Sequence, residues 1–329
     1  MNAFTGASAR ARVDYTALFA RFGTLASLIA LLIVFSLGRP DVFPTVNNLL
    51  NIMSQISILG TMAFGLTVCL VMGLFDLSIA AMATLGGYVA TFLLVQYPDS
   101  VSVPVAVAAS LVTAALIGMI NGLIVSYLGI SAFIATLATG SIITGAVLGV
   151  SDSKTIITGI PDAFMAIGQG AVFGVANPIL IMLSVGLALW AMLEHTQVGR
   201  HLYAIGGSLE ASRLSGIAVK RYAPFALAIC AACAGLGGLM AAAVLGAGRP
   251  QGVGDGYLLN AFASVFIGAS SLRPGKFHIL GTLIGVLLIG VINNGLSVMG
   301  VPTYWQYIVQ GVLLVAALFS AGVLTMRRH

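Results

Sequence analysis

Glu194-His195-Thr196-Gln197-Val198-Gly199-Arg200-His201-Leu202-Tyr203-Ala204-Ile205-Gly206-Gly207-Ser208-Leu209-Glu210-Ala211-Ser212-Arg213-Leu214-Ser215-Gly216-Ile217 is a polar, basic interlude between two long apolar runs, about 175–194 and 222–245. Each flanking run has the roughly 20 apolar residues that a membrane-crossing helix requires. The interlude is therefore a watery loop between two crossings. Gly206-Gly207-Ser208 reads as a stop followed by an N-cap, and Leu209 to Leu214 as a short helix ended by Gly216. Glu210 and Arg213, three apart, can pair with each other or face a partner. A plain connector needs no capped, self-contained helix. The expectation is a docking element for a partner, carried by Gly206, Gly207, Glu210, Ala211, Arg213, Leu214 and Gly216.

The composition around this loop fixes its solvent. Of 329 residues, 59% are hydrophobic and 7% charged, where a soluble domain carries about 25% charged. Such a chain cannot cover itself in water, and lipid is its medium. The 40 glycines fit a bundle of closely approaching membrane helices. Polar, Gly or Pro punctuation delimits about ten spans of about 20 residues each: Phe22 to Gly38, then 47–73, 78–97, 103–127, 131–150, 175–194, 222–245, 257–271, 277–298 and 304–325. Arg39-Pro40-Asp41 is a poor cleavage site, so the first run reads as an uncleaved helix and not a signal peptide. Segment 47–73 would reach about 40 Å against a core of about 30 Å, which predicts a bend or break at Gly60 or Gly65. Segment 257–271 is short and reads as a possible discontinuous helix.

With the N-terminus inside, alternation puts Arg10, Arg12, Arg21, Arg200, Arg213, Lys220, Arg221, Arg273, Lys276, Arg327 and Arg328 in the cytoplasm, and only Arg39, Lys154 and Arg249 outside. This is the positive-inside bias. The net charge of +5 thus reflects topology and points to no nucleic acid partner. The domain reading is a cytoplasmic segment 1–21, one transmembrane domain 22–325 with its cytoplasmic loop 195–221, and a tail 326–329. The outer loop from Ser151 to Gly174, with Asp152, Lys154 and Asp162, is the candidate surface for an external partner.

Ile117-Gly118-Met119-Ile120-Asn121-Gly122-Leu123 resembles Ile289-Gly290-Val291-Ile292-Asn293-Asn294-Gly295-Leu296, and Asp76 and Asp255 each lie near the joint between the first and second helices of a block. The blocks would be helices 2–5 and 7–10 in opposite orientation, a recurrent transporter plan. Gly118/Gly122, Gly145/Gly149 and Gly281/Gly285 fit small-residue helix packing.

Chemistry in the remaining residues is sparse. Cys230-Ala231-Ala232-Cys233 has redox spacing but sits in an apolar run, and Cys69 stands alone, so all three read as small packing residues. His195, His201, His278 and His329 fall in loops or at helix ends and form no metal pattern. Gly275-Lys276-Phe277 lacks the rest of a phosphate loop, and no catalytic triad or carboxylate pair is apparent. The chain alone should hydrolyse nothing and bind no metal. Asn51, Gln55, Asn121, Asn260, Asn293, Asn294, Gln306 and Gln310 lie inside or cap the spans; amides both donate and accept, so these are candidates for lining a polar pathway, each with interhelical bonding as its alternative. Asp76 is either part of the passage or an N-cap of the next helix, and capping is favoured.

At the quoted loop a family resemblance becomes specific. Gly199-Arg200-His201-Leu202-Tyr203-Ala204-Ile205-Gly206-Gly207 through Ala211-Ser212-Arg213-Leu214-Ser215-Gly216-Ile217 resembles the cytoplasmic signature G-R-x-x-Y-A-x-G-G-N-x-x-A-A-R-L-S-G-I of ribose/xylose/arabinose-type ABC permeases. Asp76-Leu77-Ser78, Gly256-Tyr257-Leu258-Leu259-Asn260-Ala261, Gly281-Thr282-Leu283-Ile284-Gly285 and Asn293-Asn294-Gly295-Leu296 agree further, over about residues 45–325. Ser208 stands where Asn is usual, Leu74-Phe75 replace Gly-Ile, Ala80 replaces Gly, Leu259-Asn260 replace an acid-bearing pair, and Arg273-Pro274 replace small residues. The resemblance implies an all-α, type II ABC importer-like fold in the bacterial cytoplasmic (inner) membrane. It implies a second permease copy or paralogue, an ABC ATPase subunit that holds ATP and Mg and docks on the short loop helix, and a periplasmic sugar-binding protein that delivers a monosaccharide or polyol. The rival readings are an ion-coupled secondary transporter and a branched-chain amino-acid-type ABC permease.

Overall fold

The computed structural model describes residues 15–326. Arg10, Arg12, Arg327 and Arg328 lie outside the described residues. The chain forms α1 (Tyr15–Gly38), α2 (Val46–Val71), α3 (Ile79–Gln96), α4 (Val103–Leu128), α5 (Ala132–Ser151), α6 (Asp162–Gln169), a hairpin of β1 (Ala171–Val172) and β2 (Val175–Ala176), α7 (Asn177–His195), α8 (Gln197–Gly207), α9 (Leu209–Leu214), a 3-10 turn (Val219–Arg221), α10 (Tyr222–Leu245), α11 (Asp255–Ala269), α12 (Ile279–Val298) and α13 (Thr303–Met326). Among the described residues seven helices are long and apolar enough to cross a membrane: α2, α3, α4, α5, α7, α10 with its preceding turn, and α12. α11 has 15 residues and reaches only about 22 Å.

Burial sorts these helices. The most apolar window of α2 is 89% buried against 22% for α4 and α5, so α2 is a central post and α4 and α5 present broad apolar faces outward. α10 packs on α2, α3 and α4, and α2 packs on α7, α11 and α12. No break interrupts α2. Its 26 residues form one unbroken helix, and Gly60 and Gly65 serve close approach, facing Met182 and the Cys230–Cys233 face of α10. Gly118 and Gly122 likewise seat α4 on α10 at Leu227 and Pro224, and Gly281 and Gly285 seat α12 on α11 at Gly268 and Ser264. A methyl group added at Gly145 or Gly149 would meet no neighbouring element within 4 Å.

The link from α10 to α11 turns back into the bundle. Gly248 bridges to Ile156, with N–O distances of 2.9 and 2.8 Å, and lies against Thr91 of α3. Gly254 lies against Ala80, in the first turn of the same helix. The segment 248–254 thus runs back along α3 by about 16 Å before α11 starts. Irregular backbone at such depth is tolerated only where protein or a cavity surrounds it.

The basic residues separate in space. Arg200, Arg213, Lys220, Arg221, Arg273 and Lys276 line two grooves that flank the end of α2 at Leu70 to Leu74. Lys154 and Arg249 lie at the opposite end, beside the Ile156–Gly248 bridge, and Arg39 bonds the Val298 carbonyl where α12 finishes. The stretch 151–174, read from sequence as an outer loop, carries α6 and the start of the hairpin and ties back through Gln169 to the Ala243 and Val244 carbonyls.

Candidate functional site

The basic end is built around α8 and α9. Thr196 caps α8 by accepting from the Gly199 N–H at 3.3 Å, and Ser208 caps α9 by accepting from the Ala211 N–H at 3.2 Å. The short helix Leu209–Leu214 stands as its sequence implies, and Gly216, at φ +83°, closes it in the left-handed region where glycine is unstrained. Glu210, Ala211, Arg213 and Leu214 are exposed, while Ser212 is buried. α8 is not expected from the sequence, where a helix is read only at Leu209 to Leu214. Its signal was Thr196 as cap and Val198, Leu202 and Ile205 on one face. Leu202 and Ile205 are buried, and Gly206 lies directly on the Val71 carbonyl, at the last residue of α2. The α8–α9 unit therefore rests directly on the end of the central post.

Polar contacts tie this unit to the α11–α12 turn. Arg273 Nη1 donates to both oxygens of Glu194 at 2.7 and 2.8 Å, and Tyr203 Oη donates to the Phe277 carbonyl at 2.9 Å. Burial, then the neighbouring Glu194 charge, pushes the Tyr203 hydroxyl up to about 12, so it remains a donor. These residues, with Arg200 and Lys276, line a groove of about 730 Å³. His278, at the helix end where the sequence places it, is buried. Its Nδ1 lies 3.0 Å from the Lys276 carbonyl, its Nε2 has no partner, and burial holds its pKa below the usual value.

Two cavities lie deeper in the bundle. The first, about 340 Å³, is lined by Ser54 and Gln55 of α2, Tyr257 and Asn260 of α11, and Gly290 and Asn293 of α12. It carries amides and hydroxyls and no fixed charge. Asn260 donates to the Gly256 carbonyl at 2.8 Å, while its Oδ1 and the Ser264 hydroxyl one turn on are buried without partners. The second, about 420 Å³, lies where the first turns of α3 and α11 meet. It is lined by Thr84, Ser141, Thr144, Gln251 and Asp255 with small apolar neighbours. Sequence reasoning did not find it, because the re-entrant 248–254 segment that builds it has no periodicity.

The structure therefore brings Gln55, Asn260 and Asn293 together and separates the other amides. Asn51 is exposed on α2. Asn294 accepts from Asn48 at 3.0 Å, linking α12 to α2. Asn121 accepts from Thr139 at 2.6 Å, linking α4 to α5. Asn293 also accepts from Gln310 at 3.0 Å, linking α12 to α13, and Gln306 bonds Ser297 and the Val301 carbonyl. Asp76 is fully buried ahead of α3, its Oδ1 accepting from Ser78 N and Oγ at 2.9 and 2.5 Å. It lines neither cavity. Its carboxyl lies with the Cys69 and Cys230 thiols, all ligand atoms within 4.8 Å of one another, so the cluster joins cysteines of α2 and α10 and not the Cys230–Cys233 pair.

Residues 48–318 match the family described as the permease component of branched-chain amino acid transport systems. The chain is similar to the ribose import permease protein of Escherichia coli, 39% identical over 297 residues, covering 89% of this chain and 91% of the relative. It is 33% identical over 311 residues to the D-allose transport system permease protein of Escherichia coli, covering 94% of each chain. It is 28% identical over 357 residues to the xylose transport system permease protein of Haemophilus influenzae, covering 90% of this chain and 94% of the relative. No solved structure matches the chain.

Proposed function

The chain belongs to the sugar-import permeases of the ATP-binding-cassette importers, and from that membership we propose that it forms the membrane passage for a monosaccharide or related polyol by alternating access. The observation that carries the mechanism is the contact of Gly206 with the end of α2. In this reading the α8–α9 unit docks a separate ATPase subunit through Glu210, Ala211, Arg213 and Leu214. Cassette closure presses α8 on α2, and α2 transmits the movement to α11 and α12, which line the amide-rich cavity. ATP shifts the equilibrium only because the cassettes bind the two states of the permease differently. ATP and Mg belong to the cassettes, and this chain holds no cofactor.

The basic end faces the cytoplasm by the positive-inside rule, and the membrane is the bacterial inner membrane. We count ten crossings, α1 to α5, α7 and α10 to α13. The blocks α2–α5 and α10–α13 form an inverted repeat. α2 packs on α11 and α12 as α10 packs on α3 and α4, and Asn121–Thr139 corresponds to Asn293–Gln310. A second permease copy or paralogue pairs with this chain, and a periplasmic sugar-binding protein docks on the opposite end around Asp152, Lys154 and Asp162. Permeation uses Gln55, Asn260 and Asn293, joined by Thr84, Ser141, Thr144 and Gln251 of the second cavity, all neutral donors and acceptors suited to hydroxyls. The sugar class is preferred to branched-chain amino acids because the first lining holds no charge and the second holds Asp255 alone, where an amino acid would need paired charges.

The coupling claim is tested by reversing Glu210 or Arg213. Glu210→Arg and Arg213→Glu should still insert, yet retain less ATPase on co-purification or hydrolyse ATP without uptake. Normal cassette retention and normal uptake in both variants would remove α9 from the coupling path.

A further inference from the structure

The second groove at the basic end is unlike the first. It measures about 580 Å³ and lies between the end of α4, the α8–α9 unit and the turn before α10, with Tyr127, Arg213, Lys220, Arg221, Val125 and Ile217 among its walls. In the first groove Arg273 is paired with Glu194, which leaves Arg200 and Lys276 without an ion pair among the described residues. Here Arg213, Lys220 and Arg221 make no ion pair among the described residues, and the Lys220 ammonium lies 5.3 Å above the Tyr127 ring. A solvated basic face would be polar around its charges. This one is rimmed by exposed Tyr127, Leu128 and Leu209. From Tyr127 an exposed apolar stripe runs along α4 through Leu123, Ile120 and Leu116, at helical spacing on one face.

Unneutralised cations at a span end, an aromatic at the same level and an apolar track leading into the bilayer are the complement of one kind of molecule. We infer that this groove binds an anionic phospholipid of the cytoplasmic leaflet, its phosphate held by Lys220 and Arg221 and its acyl chains along the α4 stripe. Basic pockets between helices at the cytoplasmic side are recognised sites for acidic headgroups. Zwitterionic lipid satisfies the stripe but not the charges, and a free phosphate satisfies the charges but not the stripe. Lipid bound there would brace the link between α9 and α10 from the membrane side. The inference rests on the orientation proposed above, but its readout does not involve the ATPase.

The test uses the purified, delipidated full-length permease, native mass spectrometry and titration with phosphatidylglycerol or phosphatidylcholine. The compared forms are the unaltered chain, Lys220→Gln/Arg221→Gln, Lys220→Arg, and Lys154→Gln at the opposite end. Arg213 is left in place because it belongs to the coupling surface. Each basic residue near an anionic surface contributes about five-fold, so the double variant should bind phosphatidylglycerol about thirty-fold more weakly. Phosphatidylcholine binding should not change, Lys220→Arg and Lys154→Gln should bind as the parent does, and melting temperatures should match. Equal affinity for both lipids, undiminished binding by the double variant, or displacement of the lipid by inorganic phosphate alone would overturn the inference.

Discussion

Arg273 Nη1 sits between both carboxylate oxygens of Glu194, at 2.7 and 2.8 Å, and ties the end of α7 to the α11–α12 turn. The Arg273 side chain is 53% exposed and that of Glu194 19%, so water screens the pair and its direct worth is about 0.5–1 kcal/mol. Glu194→Arg and Arg273→Glu should each lower the melting temperature of the solubilised protein slightly, and the charge-swapped double variant should recover most of the loss. A double variant as unstable as the two single losses combined would show that the pair is a bystander.

His278 supplies a pH dependence. Burial, aided by Arg273, lowers its pKa from the usual value of about 6.5. A depressed folded-state pKa contributes stability that is present above about pH 6.5 and lost as pH falls through the folded value, because the unfolded chain takes the proton first. Melting temperature should therefore fall on acidification below about pH 6.5, and His278→Gln should flatten that slope. Parallel slopes for the two proteins would place the titration elsewhere.

Two glycines of similar sequence setting should behave oppositely. Gly118 sits on the Leu227 carbonyl, whereas a methyl group added at Gly145 would meet no neighbouring element within 4 Å. Gly118→Ala should cost about 1–3 kcal/mol by overpacking α4 against α10. Gly145→Ala should be neutral or gain up to about 1 kcal/mol from helix propensity. Thermal melting of the two variants separates these outcomes, and equal effects would refute the α4–α10 contact.

How legible the chain was in its sequence follows from the range of each signal. The apolar runs, the cap at Ser208 and the left-handed Gly216 are local, and they appear in the structure where the residues imply. The family signature around Arg213 was also local and led to the right family. α8 was hidden by Gly199, Gly206 and Gly207, which read as loop residues, although Gly199 and Gly206 permit close contact, Gly206 on α2. The glycines of α2 misled in the same way, because contact with Met182 and Cys233 cannot be seen in a single segment. The re-entrant 248–254 stretch has neither period nor charge. The Cys69–Asp76–Cys230 cluster and the Gln55–Asn260–Asn293 cavity exist only through tertiary packing, so the eight amides could be named but not sorted.

The amide-rich cavity makes its own prediction. Asn260→Ala should remove a group that meets a passing hydroxyl, at about 0.5–1.5 kcal/mol, or about two- to ten-fold in uptake. ATPase co-purification should be unchanged, since Asn260 lies away from α8 and α9. Full uptake by Asn260→Ala and by Gln55→Ala would move the passage to the second cavity.

The central claim is that ATP on a partner subunit, and no ion gradient, drives this passage. A proton-coupled carrier needs a titratable group that alternates between wet compartments, and the deep carboxyl of Asp76 is sealed in and held by Ser78. The decisive measurement is uptake of labelled sugar by vesicles holding the full complex, with ATP and binding protein supplied or withheld. The account predicts uptake that requires both and persists when a protonophore collapses the gradient at clamped ATP. Uptake by the purified chain alone, driven by an imposed proton or sodium gradient, would contradict it.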